Sequence, residues 1–241
     1  MKVINTVPFV FLCIVCVSCS PSTKQIRRMQ QLETGVVNPT TIDELESAIK
    51  TYQKRIEDVL NSDIRIGIWY KILGTRYMDN GMYGKALENF QTAIEYFPTN
   101  QNLYYFVGVC AGYMAKASLD FAASSSHIER DHYYNLSESA YKRALELEPR
   151  YERALYGLSV LYVFELDRAE EAIPYLERIM EIEKRNLDAM TVLARAYYVT
   201  GTPERAIQLY DRIISESKSE ERKEEARKNK EFILGQTYEA N

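Results

Sequence analysis

The stretch that determines the fold is residues 70–98, with the sequence YKILGTRYMDNGMYGKALENFQTAIEYFP. Large apolar side chains recur at intervals of three and four residues on both sides of Asn80-Gly81, which is typical of amphipathic helices. Asn-Gly is a turn dipeptide, and Pro98 ends any helix that precedes it. The stretch therefore predicts two helices that fold back on each other.

Eight residues of this stretch have the spacing of the tetratricopeptide repeat, and the stretch resembles that family. They are Tyr70, Leu73, Gly74, Tyr77, Ala86, Phe90, Ala93 and Pro98. Weaker copies of the pattern open at Tyr104, Leu155 and Met190, so the resemblance covers about residues 67–217. It implies an all-α solenoid of about four helix-turn-helix repeats, in which each repeat buries its apolar face against its neighbours.

Capping helices are expected at both ends of this array, because a terminal repeat needs a polar outer side. In residues 39–66, Thr41 and Glu44 form a capping box, and apolar residues follow at helical spacing up to a predicted helix end near Asn61. Residues 218–241 are rich in charge and predict a C-terminal capping helix and tail.

The second repeat is longer than the first. Gly108 and Ala144 are 36 residues apart, whereas the corresponding Gly74 and Ala93 are 19 apart. The extra residues are expected to lengthen each helix by about two turns and to form a projecting hairpin at residues 113–135. We interpret it as a hairpin packed against the body or the N-terminal helix, and a lid or docking surface is the alternative.

The first eighteen residues resemble a bacterial lipoprotein signal peptide. A short apolar run ends in Cys16-Val17-Ser18-Cys19, where a small residue precedes a cysteine. The resemblance implies that Cys19 carries fatty acyl chains, palmitate among them, and becomes the mature N-terminus. Cys16 departs from the pattern, which usually has leucine there. An ordinary secretory signal or a weak anchor is the alternative.

The rest of the N-terminal region agrees with that resemblance. Residues 19–38 are polar and predict a tether between a membrane and the folded part. Three of the four cysteines lie in the signal region, so Cys110 has no partner and no disulfide framework is expected. The sequence thus predicts a membrane-anchored lipoprotein of the bacterial cell envelope that faces the periplasm.

Composition and motifs argue against an enzyme or a nucleic-acid binder. The chain has 30 basic and 34 acidic residues, which disfavours nucleic acid as a partner. His127 and His132 are five residues apart rather than four, and the chain has no other histidine, so a zinc site is not expected. The sequence contains no glycine-rich phosphate loop and no nucleophile elbow. We therefore predict no catalytic residue, no metal and no cofactor.

The remaining prediction is a binding groove. In tetratricopeptide arrays the first helix of each repeat lines the concave face. Carried over to this chain, that geometry implies a ligand groove lined by Lys71, Tyr105, Tyr113, Arg153, Tyr156, Phe164, Arg195 and Tyr198. Tyrosine and arginine are frequent in binding hot spots, which suits an extended segment of another envelope protein. This predicts an interaction adaptor or assembly scaffold. The alternative is a transporter-associated, solute-handling protein that binds a small hydrophobic ligand.

Overall fold

The computed structural model describes residues 41–118 and 126–239, and these ranges contain helices and no strand. The chain divides into two compact units, residues 1–62 and residues 63–241. The described α-helices are α1 (Ile42–Asp79), α2 (Tyr83–Tyr96), α3 (Gln101–Ala117), α4 (Ser126–Leu147), α5 (Glu152–Val160), α6 (Ala169–Ile182), α7 (Leu187–Val199), α8 (Pro203–Glu216) and α9 (Glu220–Glu239). A π-helix, Leu161–Glu165, continues α5.

The second unit consists of helical hairpins in sequence order. Its pairs are the end of α1 with α2, α3 with α4, α5 and the π-helix with α6, and α7 with α8, while α9 packs on α8. Two of the turns depend on glycine, because Gly81 and Gly201 have φ angles of 71° and 77°. Pro203 then opens α8, where its fixed φ suits a first helical turn. The predicted all-α tetratricopeptide solenoid is confirmed.

The core of the second unit follows the small-residue positions of the repeat. Ala86, Phe90 and Ala93 are fully buried on one side of α2. A methyl group at Gly74 of α1 would lie 2.9 Å from the Phe90 ring, so only glycine fits that crossing without a shift. At the other end of the array, Ile233 of α9 is buried in the larger of two apolar clusters.

The helix predicted to end near Asn61 continues to Asp79, so this expectation was wrong. The capping segment and the first helix of the first repeat are one helix of 38 residues. Asn61, Ser62 and Asp63 resemble a helix end in sequence, but no glycine or proline lies at or next to these three positions. The Ser62 hydroxyl donates a hydrogen bond to the Asp58 carbonyl at 2.8 Å, one turn earlier. The small propensity cost of these residues is insufficient to end the helix.

The second repeat distributes its extra length unevenly. Helix α3 has 17 residues and α4 has 22, whereas the helices of the fourth repeat have 13 and 14. The tip of the predicted hairpin, residues 119–125, lies outside the described residues. On the described part of α4, Tyr134 is buried in the large apolar cluster, as expected for a hairpin packed against the body.

Two further expectations concern cysteine and the membrane. Cys110 is fully buried, and burial raises the pKa of its thiol to about 12, which keeps it protonated and unreactive at neutral pH. No helix within residues 41–118 and 126–239 is long and apolar enough to cross a membrane. The predicted signal peptide at residues 1–18, Cys19 and the tether at residues 19–38 all lie outside the described residues.

Candidate functional site: a tyrosine-lined groove

A cavity of about 300 Å³ opens between the first helices of the second and third repeats. Helix α3 forms one side, α5 and the π-helix form the other, and α4 forms the floor. Tyrosines and one ion pair dominate its lining: Tyr105, Tyr113, Lys116, Tyr134, Tyr156 and Glu165. The cavity lies where the repeat geometry predicts a concave binding face.

The floor of the groove depends on a close approach between aromatic and glycine residues. Tyr141 of α4 is buried, and its ring lies against Gly108 of α3 and Gly157 of α5. A Cβ atom at either glycine would lie 2.7 Å from that ring. In addition, the buried Ser137 hydroxyl of α4 donates a 2.7 Å hydrogen bond to the Gly108 carbonyl. These contacts fix the spacing between the two sides of the groove.

One end of the groove is polar. The Lys116 ammonium lies 2.6 Å from Glu165 Oε1, and the Tyr134 hydroxyl donates to Glu165 Oε2 at 2.7 Å. Burial alone would raise the pKa of Glu165, but the hydrogen bonds from Lys116 and Tyr134 outweigh it and lower the pKa. Burial, followed by the bond to Glu165, raises the pKa of Tyr134. At neutral pH Glu165 is therefore a carboxylate and Tyr134 a neutral phenol.

The π-helix decides which residue of the third repeat enters the groove. The Leu166 amide donates to the Leu161 carbonyl at 3.1 Å, a hydrogen bond that spans five residues instead of four. The wider turn moves the inward position by one residue, so that Glu165 lines the cavity. Phe164, which α-helical spacing placed on the groove, is not among the lining residues and is 54% exposed.

The aromatic side chains of α3 differ in their surroundings. The rings of Tyr113 and Tyr83 are stacked with centroids 4.1 Å apart, yet Tyr113 remains 49% exposed. Tyr105 is half-buried and meets Tyr151 edge to face at 5.8 Å, so it also packs between repeats. Tyr151 in turn donates to Asn102 Oδ1 at 2.8 Å. Tyr113 is thus the aromatic residue of α3 that is most available to a ligand.

Of the eight predicted groove residues, the structure brings Tyr105, Tyr113 and Tyr156 together in the cavity. Lys71 and the exposed Arg153 do not line it. Arg195 and Tyr198 lie on α7, in the fourth repeat, where the Arg195 guanidinium is 5.8 Å from the Tyr198 ring. Tyr198 also meets Phe232 of α9 edge to face at 5.9 Å. These two residues belong to a separate part of the array.

The sequence analysis missed the polar end of the groove, which is formed by Lys116, Tyr134 and Glu165. Lys116 lies three residues beyond Tyr113 on the same helix, so helical spacing was a usable signal for it. Tyr134 is on the second helix of its repeat, and only the lengthened α4 brings it to the groove. Glu165 depends on the π-helix, for which the sequence gives no signal.

An ionic network lies beside the groove, at the junction of α4 with the turn after the π-helix. Glu138 accepts hydrogen bonds from Lys142 at 2.6 Å, Tyr162 at 2.9 Å and Arg168 at 2.9 Å. Burial by itself would raise the pKa of Glu138, but these three donors lower it to about 2. Arg168 also pairs with Glu171 at 2.6 Å and stacks over the Tyr162 ring. Because each member has a partner, the network is a structural support.

The described residues hold no group of three or more histidine, cysteine, aspartate or glutamate side chains arranged to bind a metal ion. Of the two histidines, His132 is exposed and its ring lies against Tyr133. The chemistry that the groove offers is noncovalent: aromatic surface, one cation and one anion.

Comparisons with known proteins agree with the helical-repeat fold. Two family models described as tetratricopeptide repeat match residues 122–182 and residues 163–222. A TPR repeat-containing protein of Borreliella burgdorferi is 25% identical over 226 residues, which cover 93% of this chain and 96% of the relative.

Solved structures of tetratricopeptide proteins share the fold. A thermophilic TPR protein from Thermus thermophilus matches with a TM-score of 0.54 and 17% identity, covering 79% of this chain and 92% of that one. YrrB, a TPR protein with an unusual peptide-binding site, matches with a TM-score of 0.53 and 21% identity, over 78% of this chain and 85% of that one. Such repeats generally act as non-enzymatic scaffolds that bind peptide or protein partners. Residues 122–222 therefore match tetratricopeptide repeats, and the described helices have the fold of a tetratricopeptide solenoid.

Proposed function

We propose that the protein is a membrane-tethered adaptor of the bacterial cell envelope, and that its groove holds an extended segment of a partner protein. The observation that carries this proposal is the convergence of Tyr105, Tyr113 and Tyr156 on one cavity from two successive repeats. Tyrosine provides a large contact area with a polar tip and little conformational freedom to lose on binding.

The polar end of the groove supports a peptide as the ligand. A peptide backbone offers both donors and acceptors, and the Lys116–Glu165 pair provides one charge of each sign beside the aromatic surface. The lysine side chain is 56% exposed, whereas the glutamate side chain is 18% exposed. The ammonium is therefore the member of the pair that a ligand reaches first, which favours a segment that carries a carboxylate.

Site-specific photo-crosslinking in native membranes tests the groove. A photoreactive phenylalanine analogue at Tyr113 is expected to capture a partner, whereas the same analogue at Phe164 is not. The two positions are a matched pair, since they are 49% and 54% exposed and only the first lines the cavity. Capture of the same partner from Phe164 but not from Tyr113 would contradict the proposed groove.

The membrane tether rests on the signal-like sequence that ends at Ser18-Cys19. Two or more acyl chains give stable anchoring, whereas one chain gives marginal binding. We expect Cys19→Ser to move the protein from the membrane fraction to the soluble fraction while its helical circular dichroism stays unchanged. Mass spectrometry that finds an unmodified Cys19 at the membrane would rule out this anchor.

A small hydrophobic ligand is the second candidate, and the size of the cavity is the observation that favours it. A volume of about 300 Å³ lies at the lower end of the range for small-molecule sites. Part of the cavity wall is apolar and is formed by Val109, Val160 and Leu161. Native mass spectrometry of the purified protein would show a retained ligand, and Val160→Phe would displace it by filling the cavity. Retention of a ligand together with no crosslink from Tyr113 would favour this candidate over the adaptor.

A further inference from the structure

The part of α1 that lies in the first unit has a heptad repeat. From Ile42, apolar residues recur at alternating intervals of three and four, and this 3.5-residue period is the signature of a coiled coil. The a positions are Ile42, Ile49 and Ile56, and the d positions are Leu45, Tyr52 and Val59. This pattern extends over three heptads, residues 42–62, and stops at the next a position, where the residue is Asp63.

The face of the helix opposite the a and d positions is polar. All nine b, c and f positions, on the side away from the a and d seam, are polar: Asp43, Glu44, Ser47, Lys50, Thr51, Lys54, Glu57, Asp58 and Asn61. A helix that is buried all round would carry apolar residues there as well. This pattern is therefore typical of a helix that buries only its a and d face against a partner and leaves its other faces in water.

Within the described residues, the a positions and the first d position of this stripe are exposed, and Tyr52 and Val59 are half-buried. Ile42, Leu45, Ile49 and Ile56 are between 46% and 76% exposed. Leu60, at the e position next to Val59, is also exposed and widens the stripe at its C-terminal end. Large aliphatic side chains at this exposure, aligned along one helix face, mark an interaction surface.

We propose that residues 42–62 form a parallel, two-stranded coiled coil with the same residues of a second copy of this chain. A 3.5-residue stripe is complementary to an identical stripe, because each a and d side chain fits a hole formed by four residues of the facing helix. Isoleucine at an a position with leucine at the following d position favours two parallel strands, and the first heptad, with Ile42 and Leu45, has this combination. The inference does not depend on the groove.

The charges of the segment disfavour a membrane as the occupant of this face. Helices that lie in a bilayer interface carry a polar face rich in lysine and arginine. The b, c and f positions here hold four acidic and two basic residues. This polar face is net negative, so anionic lipid headgroups repel it, whereas a second copy presents its own apolar stripe.

The oligomeric state tests the proposal. The full chain with Cys13→Ser, Cys16→Ser and Cys19→Ser, measured by size-exclusion chromatography with light scattering, is expected to have near twice the 28.0 kDa mass of one chain. Adding Ile49→Asp and Ile56→Asp is expected to halve that mass. The matched control, Lys50→Asp with Lys54→Asp on the polar side, is expected to remain dimeric.

Three results of this experiment would overturn the proposal. They are a monomeric parent chain, a trimer or larger assembly, and a dimer that survives the two aspartates at the a positions. Flotation of a monomeric parent with phosphatidylglycerol and phosphatidylethanolamine vesicles, abolished by Ile49→Asp, would identify a membrane as the occupant instead. Circular dichroism of each variant shows whether the repeats remain folded.

Disulfide trapping tests the parallel register. In a parallel coil, Leu45→Cys lies opposite its own copy at a distance that a disulfide spans, whereas Ser47→Cys at an f position points outward. We expect oxidative crosslinking at position 45 and none at position 47. In an antiparallel pair, the two copies of residue 45 would be about 20 Å apart at 1.5 Å per residue, so a dimer without this crosslink would refute the parallel arrangement. The buried Cys110 remains as an internal control.

Discussion

Gly108→Ala gives the strongest test of how the repeats are spaced. The added Cβ would lie 2.7 Å from the Tyr141 ring, about 0.7 Å short of the 3.4 Å at which ordinary contact begins. Because the same ring also lies against Gly157 of the next repeat, relief requires movement of the ring or of a helix. Overpacking of this kind costs about 1–3 kcal/mol in the free energy of unfolding.

Gly112→Ala on the same helix is the matched control. Its Cβ would lie 3.6 Å from the Ser137 hydroxyl oxygen, which is ordinary contact. This substitution retains the gain of about 0.5–1 kcal/mol that alanine has over glycine within a helix. We therefore expect urea denaturation, followed by circular dichroism, to separate the two variants by about 2 kcal/mol. Equal stability, or a more stable Gly108→Ala variant, would refute the reasoning about Tyr141.

Three other substitutions test the packing, a helix cap and the ionic network. Ala86→Leu overpacks a fully buried site and should lower the free energy of unfolding by about 1–3 kcal/mol. Lys85→Leu, at the exposed neighbouring position, should change it by no more than about 0.5 kcal/mol. Equal urea midpoints for the two variants would contradict the repeat register. Asn186→Ala removes the side-chain acceptor 2.9 Å from the Ala189 amide at the start of α7 and should lower the free energy of unfolding by about 1 kcal/mol. Asn186→Ser should restore most of this loss, because serine caps the helix without adding a charge beside Glu183. The pKa of Glu138 is lowered from 4.5 to about 2, so its stabilising contribution is present above pH 4.5 and is lost as the pH falls toward 2. In Glu138→Gln, the melting temperature should therefore fall less steeply between pH 4.5 and about pH 2 than it does in the unchanged protein. The same fall in both proteins would show that the network does not contribute to stability.

The sequence alone determined the repeat architecture. Helix-forming periodicity, the turn at Asn80-Gly81 and small residues such as Gly74 and Ala93 are local requirements of the hairpin, so they are visible in the chain. The end of α1 was not visible, because Asn61 and its neighbours are equally compatible with a helix end and with a helix interior. Local propensities of a few tenths of a kcal/mol per residue leave such a choice open.

The groove needed tertiary structure as well. Repeat geometry carried over from the family selected Tyr105, Tyr113 and Tyr156, which line the cavity. An α-helical period keeps Tyr105 and Tyr113 on one face of α3, and Tyr156 lies on α5 of the next repeat. The same helical period predicted Phe164 as a groove residue. In the structure the π-helix places Glu165 in the cavity instead. A π-turn widens the helix only because surrounding contacts stabilise it, among them the bonds of Glu165 to Tyr134 and Lys116. Contacts between residues about 30 or more positions apart leave no periodic trace in a sequence, and they decided which charged group the groove presents.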